Sequence, residues 1–163
     1  MFTRILVPID GSKLSKESAI AAVALARDLG AEVITLVVTP IYKMRVIEDA
    51  AFAPGTLSES DFNKAVKRSS KTYLGEVQTM AESRGIPFTG VVVSSDKIAP
   101  SIVDAAKKHG CDLIFIGSHG RSNLAQIFLG GVTTKVLSLS SIPVMVYRLP
   151  EKKSKKVAAK SVR

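Results

Sequence analysis

Apolar residues along the chain follow two patterns, which together predict five strands separated by four helices. Short β-branched runs bounded by turn residues are typical of strands, and apolar positions three or four residues apart are typical of helices. The predicted strands cover 5–9, 32–39, 88–94, 112–116 and 143–149. The predicted helices cover about 15–29, from 58–61 up to Gly85, from Pro100 to Gly110, and about 132–140.

Strict alternation of strands and helices predicts an α/β fold in one domain. Its expected core is a five-stranded parallel sheet of order 3-2-1-4-5 with helices on both faces. In such sheets ligands bind beyond the carboxyl ends of the strands, where the strand order reverses. The reversal falls between the first and fourth strands, so the turns at 10–12 and 117–120 are expected to flank a cleft.

Four glycines cluster between the fourth strand and the last helix, at Gly117, Gly120, Gly130 and Gly131. Residues without a Cβ let the backbone approach an anion closely, and N–H groups at a helix N-terminus favour negative charge. This arrangement predicts a phosphate-binding connection. It is neither a Walker A loop, which needs Gly-Lys-Ser/Thr, nor a dinucleotide GxGxxG, which would follow the first strand.

The net charge of +9 is concentrated at the C-terminal end of the chain. Residues 151–163 contain five lysines and one arginine against one glutamate, and they lack apolar periodicity. We therefore expect a domain over 1–150 followed by a basic, disordered tail over 151–163. A basic tail can bind nucleic acid, but this one has no aromatic residue to stack on bases, so nucleic acid is not the expected partner.

The remaining composition places the protein in a reducing compartment. Only one cysteine is present, Cys111, which excludes an internal disulfide framework and a cysteine-rich metal site. No apolar run reaches the roughly 20 residues that span a bilayer, and the N-terminus lacks the features of a signal peptide. We therefore expect no membrane span and a cytoplasmic location.

Several stretches together resemble the universal stress protein family, in its ATP-binding branch. Those proteins carry a G-x2-G-x9-G-(S/T) motif before the last helix, and Gly117-x2-Gly120-x9-Gly130 matches its spacing. Similar stretches are V-P-I-D-G-S at 7–12, D-L-I-F-I-G-S-H-G-R at 112–121 and I-P-V-M-V-Y at 142–147. The resemblance covers about residues 3–149 and implies a Rossmann-like fold of the adenine nucleotide alpha hydrolase type.

The resemblance also implies a site for ATP, with or without Mg²⁺ or Mn²⁺. The adenine and ribose side would be formed by Pro8, Ile9, Asp10 and Val38, and the phosphate side by Gly117, Gly120, Arg121, Gly130, Gly131, Val132 and Thr133. The chain departs from the family pattern at Gly131, where a serine or threonine hydroxyl usually contacts a phosphate. Such a bond is worth about 1.5–3 kcal/mol, and Thr133 or Ser122 could replace it.

Members of the family form homodimers through the last strand, so the resemblance implies a twofold pairing here. The expected interface residues are Val144, Val146 and Leu149. An apolar sheet edge needs cover, which fits this expectation. Shielding of the same edge by the basic tail is the alternative.

Other chemistry was weighed against nucleotide binding. Asp10 alone does not make a phospho-acceptor site, which needs a second acid and a lysine near the last strand, although it could simply cap its turn. Asp10-Gly11-Ser12 is only a fragment of the Ser-Gly-Gly-x-Asp-Ser loop expected of ATP pyrophosphatases and nucleotidyl transferases. His119 has no acid partner in sequence and is expected to face solvent. The family's stress-response or signalling role is therefore favoured over an enzyme or a nucleotide-free interaction module that acts through its dimer surface and basic tail. Any ATP hydrolysis is expected to be slow.

Overall fold

The computed structural model describes residues 1–42, 58–119 and 129–149. The strands are β1 (Arg4–Pro8), β2 (Glu32–Thr39), β3 (Phe88–Ser94), β4 (Leu113–Gly117) and β5 (Val144–Tyr147). The helices are α1 (Lys13–Leu29), α2 (Glu59–Glu82), α3 (Ile98–Lys108) and α4 (Gly131–Leu139). The predicted elements are all present: β2 and β3 have the predicted bounds, and the ends of the others differ from the predictions by at most three residues.

The strands form one sheet of order β3-β2-β1-β4-β5, and every pair of neighbours is parallel. This confirms the predicted strand order and places β1 and β4 side by side at the centre. β1 pairs with β2 from Arg4 opposite Glu32 to Pro8 opposite Leu36. The carboxyl ends of β1 and β4 therefore meet at the same edge of the sheet.

Side chains alternate across the strands into two apolar layers, as the pleat requires. Ile5, Val7, Val33, Leu113 and Phe115 pack under α1 and α2. The intervening residues Leu6, Ile34, Leu36, Ile114 and Ile116 pack under α3 and α4. Two helices on each face cover the central strands fully, which explains the nearly continuous apolar character of β2.

The helix ends follow their sequence signals closely. Gly30 ends α1 in the left-handed conformation, with φ of 67°, as expected of a glycine C-cap. Ser58 caps α2 by accepting a hydrogen bond from the Asp61 N–H. α3 begins two residues before Pro100, which still lies in the first turn, where a proline needs no N–H partner.

The basic tail at 151–163 lies outside the described residues, so it stays a prediction. Of the helices in the described ranges, not one combines the length and apolar character required to cross a bilayer.

Thr35 provides a test of the core packing. Its side chain is fully buried in β2, and its Oγ1 has no hydrogen-bond partner within the described residues. Because an unpaired buried hydroxyl costs free energy, Thr35→Val should raise the free energy of unfolding by about 1 kcal/mol in urea denaturation.

The matched control is Thr133→Val. Its hydroxyl donates to the Gly117 carbonyl at 2.9 Å, so the same change should lower the free energy of unfolding by about 1 kcal/mol. Destabilisation of both variants alike would mean that the Thr35 hydroxyl is paired.

Candidate functional site

The first turn at the predicted cleft joins β1 to α1. Ile9 extends the sheet by one residue, because its N–H donates to the Leu36 carbonyl at 2.9 Å. Asp10 is half-buried, and its Oδ1 accepts from the Ser12 N–H at 2.9 Å. The Ser12 hydroxyl in turn accepts from the Ser15 N–H and caps α1. Asp10 is thereby held at the carboxyl end of β1 by the cap of the helix that follows.

Gly11 in this turn is required by both conformation and space. Its φ is +80°, a region that favours glycine. A Cβ at this position would lie 2.2 Å from the Tyr73 ring of α2. The aromatic ring thus packs directly on the turn and fixes its path.

The second strand end is tied to α4 by two hydrogen bonds. The Ser118 carbonyl accepts from the Gly130 N–H at 2.7 Å, and the Gly117 carbonyl accepts from the buried Thr133 hydroxyl at 2.9 Å. These two bonds, which we call the β4–α4 tether, place the N-terminus of α4 beside the carboxyl end of β4. The sequence predicted the Gly130 N–H and Thr133 as phosphate ligands, whereas here both donors bind the strand end.

The start of α4 carries backbone donors that no described residue accepts from. Thr134 makes the first intrahelical bond, to the Gly130 carbonyl, so the preceding N–H groups of Gly131, Val132 and Thr133 have no intrahelical acceptor. No side chain in the described part of the protein caps this helix. The space where a Gly131 Cβ would point is open for 4 Å, and Val132 is exposed. As far as the described residues go, an anion could therefore approach this helix end directly.

Two predicted residues lie on the same face of the sheet as α4. Pro8 ends β1 and Val38 lies near the end of β2. Each follows by two residues a leucine, Leu6 or Leu36, that packs toward α3 and α4, so all four side chains lie on the same face of the sheet. Each is half-buried. This face thus combines apolar side chains at two strand ends with N–H donors at a helix end.

Not every predicted site residue can be placed. Gly120 and Arg121 lie outside the described residues, as does Ser122. His119 was expected to face solvent, but its Nδ1 lies 3.1 Å from the Ser118 hydroxyl and its Nε2 is buried. Sequence reasoning missed this pair; the adjacent serine and histidine were its only signal.

The outer edge of β5 offers main-chain groups to a partner. The carbonyls of Pro143 and Tyr147 accept from Ile114 and Ser118 of the β4 side. In a parallel strand the intervening residues direct their N–H and C=O groups the other way, so those of Val144 and Val146 point outward. The side chains of both valines pack partly on the layer under α3 and α4, whereas Met145 and Leu149 are exposed.

A separate groove of about 780 Å³ lies between α2 and β3. Its β3 residues are Phe88, Gly90, Val92 and Ser94, whose alternation places them on the face opposite Val38. Lys67 and Lys71 are its charged lining residues. None of the residues that line this groove belongs to the first turn of a helix.

Comparison with known sequences decides the family. Residues 1–148 match the sequence profile of the universal stress protein family. The chain belongs to this family. It is 30% identical over 154 residues to universal stress protein MJ0531 of Methanocaldococcus jannaschii, covering 93% of this chain and 85% of that relative. It is 31% identical over 150 residues to universal stress protein YxiE of Bacillus subtilis, covering 91% and 100%.

Solved structures of universal stress proteins share the fold. The structure of MJ0577 from Methanocaldococcus jannaschii matches with a TM-score of 0.76 at 26% identity, covering 93% of this chain and 99% of that one. A universal stress protein in complex with cAMP matches with a TM-score of 0.66 at 22% identity. The match covers 91% of this chain and 99% of that one. The universal stress protein from Archaeoglobus fulgidus in complex with dAMP matches with a TM-score of 0.59 at 20% identity. The match covers 90% of this chain and 98% of that one.

The described part of this universal stress protein offers neither a reactive thiol nor a cluster of metal-ligating side chains. Burial raises the pKa of the Cys111 thiol to about 11, so at neutral pH the group is a protonated thiol and a poor nucleophile. The described residues hold no group of three or more histidine, cysteine or carboxylate side chains arranged to bind a metal ion.

The contact between Gly11 and Tyr73 predicts a sharp difference between two glycines of this site. Gly11→Ala forces a Cβ into the ring and strains a positive φ, so it should lower the free energy of unfolding by about 1–3 kcal/mol. Gly131→Ala, where space is open, should change it by less than about 0.5 kcal/mol. Urea denaturation of both variants would measure this, and equal losses would contradict the packing described.

Proposed function

We propose that this universal stress protein binds an adenine nucleotide, with ATP as the principal ligand, at the carboxyl ends of β1 and β4. The observation that carries the proposal is the β4–α4 tether, which fixes a helix N-terminus that no described side chain caps at the point where the strand order reverses. Phosphates bind such helix ends through N–H groups and the helix dipole.

The phosphate side would use the N–H groups of Gly131, Val132 and Thr133. Gly130 would contribute by shaping the turn, since its own N–H binds Ser118. Gly117 lies just before that turn, and a Cβ there would meet Leu14 of α1 at 3.2 Å, so glycine keeps the strand end close to the helix. Gly120 and Arg121, in the same connection, would complete the phosphate contacts.

The adenosine side would use the opposite end of the cleft. Pro8 and Val38 provide half-buried apolar surface for the base, next to Ile9. Asp10 at the end of β1 would accept hydrogen bonds from the ribose hydroxyls, in an orientation set by its bond from the Ser12 N–H. The distribution of apolar and polar groups thus fits a nucleotide lying across the ends of β2, β1 and β4.

Relatives that hold adenine nucleotides are consistent with this proposal. Universal stress proteins have been solved with cAMP and with dAMP, both adenine nucleotides. Those two proteins are 22% and 20% identical to this chain. Their ligands therefore suggest adenine nucleotides as the class of ligand to test, but not how many phosphates the ligand carries. Mg²⁺ or Mn²⁺ would enter as the metal complex of ATP.

Such a protein would serve stress response or signalling in the cytoplasm by changing state with its nucleotide. A slow ATP hydrolase and a nucleotidyl transferase are the enzyme alternatives, and release of products from ATP would identify either. An interaction module without nucleotide is the other alternative. It would act through its dimer surface and the basic tail, and the groove between α2 and β3, with Lys67 and Lys71, would be a further binding surface.

The backbone donors can be tested one at a time. Gly131 is the first residue of α4, where proline removes an N–H that no intrahelical bond uses. Gly130 has φ −62° and ψ 150°, which a residue before proline adopts readily. Gly131→Pro should therefore keep the fold and weaken ATP binding about 10-fold or more in isothermal titration.

Two variants at the same position serve as controls. Gly131→Ala adds a Cβ but keeps the N–H, and should bind ATP as the wild type does, because the space is open. Gly131→Ser adds the hydroxyl that the family pattern has here, and should bind ATP more tightly. Unchanged ATP affinity of the proline variant, with its fold intact, would place the phosphates elsewhere.

We also propose that two chains form a homodimer through the outer edge of β5. The outward-directed main-chain groups of Val144 and Val146 would pair with the same strand of a second copy, and the exposed side chain of Leu149 would extend the contact. An isologous pairing of this kind satisfies a sheet edge that would otherwise remain open.

A proline substitution tests the dimer. Val146→Pro removes an N–H that points away from β4, so the sheet within one chain should survive while pairing across the edge is lost. Sedimentation should show dimers for the wild type and for Val146→Ala, which keeps the N–H, and monomers for Val146→Pro. A wild type that sediments as a monomer would refute the proposed dimer.

A further inference from the structure

The strand β3 leaves one edge of the sheet open, opposite the edge formed by β5. The Pro87 carbonyl and the Ser95 N–H both bond to β2. Because alternate residues of a parallel strand bond to the same neighbour, the residues of β3 in the intervening positions direct their N–H and C=O groups away from β2. These residues are Phe88, Gly90, Val92 and Ser94. The strand contains neither a charged residue nor a proline, which are the usual protection of an edge against pairing with another chain.

The same four residues of β3 line the groove of about 780 Å³ between α2 and β3. The opposite wall is one face of α2, where lining positions recur every three or four residues from Asn63 to Gln78. This stretch of helix is about 22 Å long, and the seven residues of β3 span about 20 Å. The groove therefore runs along the whole strand and matches the length of an extended segment of about seven residues.

Two glycines leave both walls of the groove without a side chain at one level. Gly75 lies in the interior of α2, where glycine is less favourable than alanine. A Cβ there would meet nothing within 4 Å, and the φ of this glycine is not positive, so the described structure does not require glycine. Gly90 lies inside β3, where glycine often marks the close approach of another backbone. Its Cβ would lie 3.3 Å from Leu74, which places the two glycines side by side.

The charge of the groove indicates what kind of segment fits it. Lys67 and Lys71 line the groove, and its described lining includes no aspartate or glutamate. Both lysines are exposed, and neither forms an ion pair within the described residues. The tail over 151–163 is itself basic, and a second copy paired edge to edge would add its own two lysines. Charge complementarity therefore favours an acidic segment of another protein over either part of this chain.

We propose that the edge of β3 and the groove beside it bind an extended acidic segment of a partner protein, which adds a sixth strand to the sheet. Strand addition gains affinity from main-chain hydrogen bonds and specificity from alternate side chains. The outward N–H and C=O groups of Gly90 and Val92 would supply the hydrogen bonds. This surface goes beyond the proposed nucleotide site and does not depend on it.

The spacing of the two lysines predicts the pattern of the partner segment. Lys67 and Lys71 are one helical turn apart, which corresponds to about 5–6 Å between Cβ atoms. Side chains two residues apart in a strand lie on the same face, about 6.6 Å from each other. Two acidic residues separated by one residue would therefore each meet one lysine.

The probe is a fluorescein-labelled peptide of sequence T-V-E-V-E-V-T, which places both glutamates on one face of an extended chain. We expect saturable binding to the wild-type protein in fluorescence anisotropy. The peptide T-V-K-V-K-V-T has the opposite charge and should bind at least about 10-fold more weakly. The peptide T-V-V-E-E-V-T keeps the composition but puts its glutamates on opposite faces, so it should also bind more weakly.

Charge reversal tests the two lysines. The double variant Lys67→Glu with Lys71→Glu should weaken binding of T-V-E-V-E-V-T at least about 10-fold. The control is Lys107→Glu with Lys108→Glu, which changes the net charge equally at exposed positions of α3, on the other face of the sheet. This control should bind the peptide as the wild type does.

A variant that fills the groove separates binding from stability. Gly75→Leu places a side chain in open space and replaces glycine by a strong helix former. It should therefore raise the melting temperature and abolish peptide binding. Hydrogen exchange tests the strand addition itself, because the amide protons of Gly90 and Val92 should become protected when the peptide is added to the wild type.

Several results would overturn the proposal. Equal affinity for the three peptides, or no binding of T-V-E-V-E-V-T, would refute an acidic partner. Equal losses in the two charge-reversal variants would reduce the effect to general charge attraction. Unprotected amides at Gly90 and Val92 in the peptide complex would refute strand addition. If an oligothymidylate binds this groove in place of the peptide, the partner is a nucleic acid and the proposal is wrong.

Discussion

The β4–α4 tether is the interaction on which the rest of the account depends. Two hydrogen bonds, from the Gly130 N–H and from the Thr133 hydroxyl, join the end of a fully buried strand to the first turn of a helix. Because β4 lies beside β1 at the centre of the sheet, the tether fixes the helix start at the point where the strand order reverses. The N–H groups of the first turn of α4 therefore lie at the edge where sheets of this kind bind ligands.

The sheet and its layers provide the rigidity that such a site needs. The two apolar layers fill opposite faces of the same strands, and the turn after β1 is fixed independently by Tyr73 packing on Gly11. Two strand ends are therefore held by different helices, α1 and α4.

The sequence predicted the fold well because its signals are local. The strands and helices are specified by the spacing of apolar residues, and helix ends by single residues such as Gly30 and Ser58. The strand order follows from general rules of α/β sheets. The site was predicted less completely, since its geometry depends on distant pairs. Thr133 binds a carbonyl sixteen residues away, and only coordinates reveal that the Nε2 atom of His119 is buried. The residue types indicated a phosphate site. They did not show that two of its expected donors, the Gly130 N–H and the Thr133 hydroxyl, form hydrogen bonds within the fold.

The most direct measurement is an ATP titration of the ¹⁵N-labelled protein followed by NMR. The account predicts that the amide resonances of Gly131, Val132 and Thr133 shift most strongly and saturate together, with smaller shifts at Asp10 and Val38. Shifts confined to the groove around Lys67 and Lys71, or no shifts at any ATP concentration, would contradict the proposed site.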